Sequence, residues 1–177
     1  MNLGTNKKLG FSLVELVIVI IILGVIAAVA IPRISSGSRN AGEAALKADL
    51  ATLRNAIDWY YGEHNMTFPG AKADGLGNAA ESETAFINQL TKYSDASGNC
   101  SVDKNAAFPY GPYVRGNFPN LPVGANAGTG TINIVNQVAP LTSNPVDTKG
   151  WVFNVATGQI IANADETGND GIAFDAY

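Results

Sequence analysis

The stretch KKLGFSLVELVIVIIILGVIAAVAIPR, Lys7 to Arg33, is the most distinctive part of this 177-residue sequence. From Phe11 to Ile31 it runs for 21 residues with a single ionisable side chain, that of Glu15. At about 1.5 Å per residue, a helix of that length spans about 31 Å, close to the ~30 Å hydrocarbon core of a bilayer. The stretch therefore predicts a membrane-spanning helix with a carboxylate near its start.

The flanks of the apolar run distinguish it from a secretory signal peptide. A signal peptide has an apolar core of about 7–15 residues and a small-residue cleavage site, whereas this longer core is followed by Ile31-Pro32-Arg33. Lys7 and Lys8 precede the run, and by the positive-inside rule they favour a cytoplasmic N-terminus with the rest of the chain across the membrane. A plain signal-anchor remains open on periodicity alone.

The residues at the start of the run resemble a known processing signal. GFSLVE, residues 10–15, follows a short polar leader with two lysines. This order is similar to the N-terminal signal of type IV pilins and type II secretion pseudopilins, which a prepilin peptidase cuts after the glycine. The resemblance implies cleavage between Gly10 and Phe11, N-methylation of Phe11, and a leader of residues 1–10.

Glu15 gains a role from this resemblance. A charge at mid-bilayer costs about 2.5–3.5 kcal/mol on insertion scales, and intramembrane carboxylates usually have a partner. The resemblance implies that Glu15 pairs with the N-terminal amine of Phe11 in a neighbouring subunit, which would offset desolvation and fix the stagger between subunits. The alternative is that the Glu15 carboxylate lies in the headgroup region and has no such partner. Pro32 falls where the family often has a proline and is assigned to assembly with these two residues.

Helical periodicity continues beyond the apolar run. Apolar residues recur every three or four positions between charged ones, at Leu46, Leu50, Leu53, Ile57 and either Tyr60 or Tyr61. This spacing predicts one helix over about residues 11–62, with an apolar anchor half and an amphipathic half. A second helix is predicted over residues 81–94, with Phe86, Leu90 and Tyr93 on one face.

Strand patterns come last in the chain. GWVFNVATGQIIAN, residues 150–163, predicts a hairpin in which Gly158 supplies the positive φ of the turn. Residues 108–122 hold too many prolines for a central strand and predict a packed loop. TINIVNQV, residues 131–138, predicts a strand whose inner face carries Ile132, Ile134 and Val138.

These elements predict an α+β fold in which the long N-terminal helix packs on a small C-terminal antiparallel β-sheet. The YGPY segment, residues 110–113, and the hairpin are similar to segments of the major, G-type pseudopilins of type II secretion. With that resemblance, the chain divides into the leader, a transmembrane or assembly half at residues 11–33, and a pilin-like domain at residues 34–177 in the periplasm or outside the cell.

The last stretch, NADETGNDGIAFDAY, is rich in oxygen-bearing side chains among glycines. Such a loop suits Ca²⁺, which takes 6–8 oxygen ligands, although the spacing is not that of an EF-hand. Major pseudopilins have a calcium-binding loop in this region, so the resemblance implies Asp165 and Asp170 as first candidate ligands. The alternative interpretation is a solvated acidic loop.

Several function classes lack support in the sequence. The net charge is −4 without a cluster of Lys and Arg, so no nucleic acid is expected as a partner. No catalytic constellation appears, so an enzyme is not expected. His64, the single histidine, is expected at the surface or capping the helix. Cys100, the single cysteine, is expected to be a buried or incidental thiol that forms no intramolecular disulfide.

The resemblance implies a structural subunit of a helical filament. Its implied partners are copies of itself, minor pseudopilins or pilins, the prepilin peptidase and methyltransferase, and an inner-membrane assembly platform. It would begin as a single-pass inner-membrane protein with its body in the periplasm and end in a periplasmic pseudopilus or a cell-surface pilus. The missing cysteine pair favours a pseudopilin over a type IV pilin serving adhesion, motility or DNA uptake. A monomeric signal-anchored binding module is the alternative from another class.

Overall fold

The computed structural model describes residues 12–177, without the side chains of residues 29–36. Its helices and strands follow in the order α1 Leu13–Glu63, α2 Glu83–Thr91, β1 Tyr93–Ser94, β2 Cys100–Ser101, β3 Ile132–Val135, β4 Trp151–Asn154, β5 Ile160–Ala162 and a 3-10 helix Phe174–Ala176. The chain separates into two compact units, residues 1–39 and residues 40–177. α1 contributes residues to both units.

The first unit carries apolar side chains on its surface. Every large apolar side chain from Leu13 to Ile26 is exposed, with exposed fractions between 40% and 79%. Across the described part of the chain, no helix combines the length and the hydropathy that crossing a membrane requires. The transmembrane half predicted for residues 11–33 includes Phe11, which lies outside the described residues, and it stays a prediction.

The second unit has a single main core, built on the amphipathic stripe of α1. The four aliphatic stripe residues predicted from the periodicity are buried, and of the two tyrosines predicted for the next position Tyr60 is buried and Tyr61 is half-buried. The buried stripe residues pack against the inner faces of α2, β4 and β5 and against the loops between them. The largest buried side chain from the strands is Trp151, whose indole Nε1 donates a hydrogen bond to Pro119 O at 3.0 Å. The predicted α+β architecture is confirmed.

The main sheet has the order β3-β4-β5 and is mixed, not antiparallel as predicted. β4 and β5 form the predicted antiparallel hairpin, and Gly158 in its turn has a φ of 76°. β3 instead runs parallel to β4, with Ile132 opposite Trp151. A parallel pair needs a crossover of about a dozen residues or more, and the connection at residues 136–150 is long enough to supply it.

The crossover also explains why β3 is shorter than predicted. The strand ends at Val135, and the side chain of Asn136 leaves the sheet to donate a hydrogen bond to Glu81 Oε1 at 2.7 Å. Val138, predicted on the inner face, is 96% exposed. In the same connection, Leu141 packs against Val152 and Ile161 on the other face of the sheet, so β4 is buried on both faces.

α2 is shorter than predicted because its ends are defined by specific contacts. Ser82 is the N-cap, and its hydroxyl accepts a hydrogen bond from Ala85 N at 3.2 Å. The helix ends at Thr91, since Tyr93 and Ser94 already pair with β2 in a two-stranded antiparallel sheet. Of the three residues predicted on one face of this helix, Phe86 and Leu90 are fully buried, whereas Tyr93 lies beyond the helix in β1 and is half-buried.

Candidate functional site

The C-terminal segment, residues 164–177, folds back onto α1. Ala164 and Phe174 are buried in the main core and hold the segment at both of its ends. Arg54 of α1 donates a hydrogen bond from Nη1 to the main-chain oxygen of Tyr177 at 2.7 Å. The predicted calcium loop is therefore held against the helix at these points, and its acidic side chains Asp165 and Asp170 are exposed.

Four side chains meet where this segment crosses α1, and we call them the Lys47 cluster: Glu43, Lys47, Asp170 and Tyr177. Lys47 Nζ donates hydrogen bonds to Glu43 Oε1 at 3.1 Å and to Asp170 Oδ2 at 2.8 Å. The Tyr177 hydroxyl lies 2.8 Å from Glu43 Oε1 and 2.7 Å from Asp170 Oδ1. The ammonium also lies 4.3 Å from the centre of the Tyr177 ring, within cation–π distance.

Main-chain donors complete the cluster. Asn169 N–H donates to Glu43 Oε2 at 2.9 Å, and Ile172 N–H donates to Asp170 Oδ1 at 3.1 Å. The side-chain amide of Asn169 also donates to Asn40 Oδ1 of α1. Each of the four carboxylate oxygens therefore has at least one hydrogen-bond donor.

These contacts shift the pKa of every titratable group in the cluster. The hydrogen bond from Lys47, and then that from Tyr177, hold the pKa of Asp170 well below its usual range. Asp170 and then Glu43 raise the pKa of Lys47 above its usual value. The pKa of Glu43 is lowered, first by the Asn169 N–H and then by Tyr177 and Lys47. The cluster is thus a charged network at neutral pH, with one cation facing two anions.

The two predicted calcium ligands are separated in this arrangement. Asp170 lies in the Lys47 cluster, whereas Asp165 is exposed. Over residues 12–177, no group of three or more His, Cys, Asp and Glu side chains is placed to hold a metal ion. One buried side-chain oxygen in this part of the chain lacks a hydrogen-bond partner, Glu166 Oε2, and it lies against the backbone of Gly124.

The residues present do not fit a calcium ion at Asp170. Ca²⁺ requires six to eight oxygens at about 2.3–2.6 Å, and the Lys47 ammonium, 2.8 Å from Asp170 Oδ2, occupies the space of such an ion. A divalent cation there would also be repelled by the ammonium charge. A calcium site formed by Asp165 and Asp170 stays a prediction.

His64 lies in a buried polar cluster at the end of α1, so the surface position predicted for it is wrong, whereas the predicted capping of the helix is confirmed by its contact with Tyr60 O. Its exposed fraction is 1%, and its ring stacks on Tyr60 at 3.7 Å between centres. Nδ1 lies 2.8 Å from Tyr60 O, which can only accept, so Nδ1 carries the proton and caps a last-turn carbonyl of α1. Nε2 then accepts from Ser94 Oγ at 2.9 Å.

The surroundings of His64 favour the neutral ring. Burial lowers the pKa of His64, an effect opposed by the Tyr60 carbonyl and by the charges of Glu63 and Asp95. Tyr113, in edge contact with the imidazole, donates its hydroxyl proton to Glu63 Oε2 at 2.5 Å. In the sequence, the i, i+4 spacing of Tyr60 and His64 was the available signal for the contact between these two residues.

The remaining predicted residues lie at the N-terminus and at the single thiol. Glu15 is exposed in the first turn of α1. Gly10 and Phe11 lie outside the described residues, and so does the side chain of Pro32, so cleavage, methylation and assembly stay predictions at these positions. Cys100 is buried as predicted, and burial raises the pKa of its thiol to about 12.

Comparison with known proteins supports the N-terminal resemblance. Residues 5–31 match the family described as the prokaryotic N-terminal methylation motif. The motif and the α+β fold agree with the resemblance to pilin-like proteins. Within that class, the chain is similar to proteins named type II secretion system core protein G, so the predicted resemblance to G-type pseudopilins is confirmed.

The similarity to these relatives covers part of each chain. The Escherichia coli K12 protein is 36% identical over 32% of this chain and 39% of its own length. The Aeromonas hydrophila protein is 32% identical over 34% and 42%, and the Dickeya chrysanthemi protein is 30% identical over 45% and 50%. The chain thus spans half or less of each relative's length. No solved structure matches the chain significantly.

Proposed function

We propose that this chain is a structural, non-enzymatic subunit of a helical pseudopilus that serves type II protein secretion. The observation that carries this proposal is the apolar surface of the first unit, from Leu13 to Ile26. A monomeric soluble protein rarely exposes contiguous apolar patches of more than a few hundred Å². Such a surface requires lipid around it before assembly and the same surface of other copies after assembly.

Glu15 supports assembly by charge pairing. It is exposed within the apolar surface, one helical turn after the residue that cleavage would make N-terminal. A carboxylate in this setting is stabilised by a cation, and the methylated amine of Phe11 on a neighbouring copy would supply it. The pairing makes assembly depend on processing, because the amine exists at Phe11 only after the leader is removed.

The second unit offers a surface for contacts between filament bodies. Trp59 of α1 is 68% exposed beside a groove formed with Pro112 and Tyr113. Exposed aromatic side chains are enriched in protein–protein interfaces. We assign this groove to contacts between copies, since a helical filament needs body surfaces that meet head to tail.

The proposal implies a defined route and set of partners. The precursor is anchored in the inner membrane with its body in the periplasm, and a prepilin peptidase and methyltransferase process residues 10 and 11. An inner-membrane platform then adds the subunit to a filament that also contains minor pseudopilins. The similarity of the relatives named core protein G supports this route.

The test combines the mature N-terminus with assembly. Mass spectrometry of the chain co-expressed with a prepilin peptidase is expected to find methylated Phe11 as the first residue. Glu15→Gln is expected to abolish filaments recovered by shearing, whereas Asp58→Asn, an exposed carboxylate on the same helix, should leave them intact. A chain that still begins at Met1, or Glu15→Gln filaments at the parental level, would contradict the proposal and leave a monomeric anchored module.

A type IV pilin serving adhesion, motility or DNA uptake is the second candidate. It shares the processing signal and the fold, and the similarity to core protein G relatives favours the pseudopilin. Filament length separates the two. Short periplasmic filaments that restore secretion in a core protein G deletion strain support the pseudopilin, and long surface fibres without secretion support the pilin.

A further inference from the structure

We propose that the ammonium group of Lys47 takes the place of a metal ion and fastens the C-terminal segment to α1. Glu43 and Lys47 come from one turn of α1, whereas Asp170 and Tyr177 come from the end of the chain. The cation lies between the two carboxylates, 3.1 Å from one and 2.8 Å from the other. The segment would therefore stay ordered without calcium.

Each carboxylate oxygen of the cluster already accepts a hydrogen bond. Lys47 and Tyr177 engage Glu43 Oε1, and a main-chain N–H engages Glu43 Oε2. Asp170 Oδ2 accepts from Lys47, and its Oδ1 accepts from the Ile172 N–H beside the Tyr177 hydroxyl. A metal ion would have to displace these donors and the ammonium together.

The other oxygen-bearing side chains of the segment do not assemble a second site. Asp165 is exposed, and the unpartnered oxygen of Glu166 lies close to Gly124. Neither belongs to a group of three metal-binding side chains among residues 12–177. Glu43 and Asp170 converge on a single point, and the Lys47 ammonium lies there.

The effect of the ammonium is expected to be local. The side chains of Lys47 and Asp170 are 47% and 35% exposed, and a single exposed ion pair contributes little to global stability. In this network the same cation contacts two carboxylates and an aromatic face, so its loss frees the segment without unfolding the core. The effect should therefore be measured as local exchange within the segment, because the melting temperature reports on the core.

The experiment measures amide hydrogen exchange in residues 168–172 of the full chain in detergent micelles. In the parent, exchange should be the same with added Ca²⁺ and with a chelator. Lys47→Met should speed exchange there about five- to tenfold, and Lys47→Arg should restore much of the protection. Lys72→Met, which removes an exposed lysine elsewhere, is the matched control and should change nothing.

Two outcomes would overturn the inference. One is calcium protection of the parental segment, with binding seen by calorimetry, and the other is unchanged exchange in Lys47→Met. Asp170→Asn provides a second variant, expected to speed exchange as Lys47→Met does and to add little in the double variant. Hydrogen exchange is measured without filaments, so this inference can be confirmed or contradicted independently of the proposed secretion function.

Discussion

Leu16 and Leu50 lie on the same helix, α1, in opposite environments. Leu16, in the first unit, is 58% exposed among other exposed apolar side chains, whereas Leu50, in the second unit, is 1% exposed in the main core. The second unit satisfies its apolar stripe from its own strands and loops. The first unit leaves its apolar surface uncovered within one chain, so its stability depends on surroundings that other molecules supply.

The sharpest test of this contrast replaces one leucine by alanine in each unit. Leu50→Ala should lower the free energy of unfolding of the second unit by about 2–5 kcal/mol, because it leaves a cavity in a packed core. Leu16→Ala should change it by less than about 0.5 kcal/mol. Denaturant titration followed by circular dichroism measures both values. Equal losses in the two variants would mean that Leu16 is packed within the monomer.

A second test asks whether the polar cluster at the end of α1 belongs to the buried unit. Because burial lowers the pKa of His64, the unfolded chain binds a proton more readily than the folded chain below the usual value of 6.5. Stability should be independent of this group above that pH and should fall as the pH drops from 6.5 through the lowered pKa.

The measurement compares melting temperatures at about pH 5 and about pH 7.5, the interval in which a histidine titrates. His64→Gln removes the titrating ring, so its melting temperature should fall less on acidification than that of the parent. Parallel curves for the two proteins would show that groups other than His64 cause the decline.

The smallest effect on stability is expected at Trp59, the exposed aromatic of the second unit. Trp59→Ala should change the free energy of unfolding by no more than about 0.5 kcal/mol, as expected for a surface position. Filament yield should nevertheless fall, because the side chain lies at the groove assigned to contacts between copies. Shearing assays measure the yield, and Asn105→Ala, at an exposed loop position, serves as the control. Normal yield from Trp59→Ala would remove this groove from the interface.

Local patterns predicted the parts of the fold that depend on neighbours in sequence. The spacing from Leu46 to Tyr60 identified the buried stripe of α1, and the glycine at 158 identified the hairpin turn. The direction of β3 was wrong, because a strand pattern does not record whether its partner lies before or after a crossover. The direction of β3 depends on the connection at residues 136–150, whose sequence shows no regular hydrophobic periodicity.

The candidate site was predicted less completely than the fold. The acidic residues of the last segment were found from composition, but Lys47 lies 123 residues away from Asp170 and nothing in the local pattern links them. The burial of His64 depended in the same way on Ser94 and Tyr113, which come from elements that follow α1. Contacts between residues that lie far apart in the sequence can be identified only once the fold is known.

The burial of Cys100 has a practical consequence for experiments on assembly. The thiolate is the form that reacts with maleimides and disulfides, and at neutral pH this thiol is almost entirely protonated as well as shielded. Because it is the sole cysteine of the sequence, a new cysteine placed on the surface would be the fast-reacting thiol of the molecule. Pairs of surface positions can thus be cross-linked between copies in the native background, and the map of neighbours can be obtained without first removing a residue from the core.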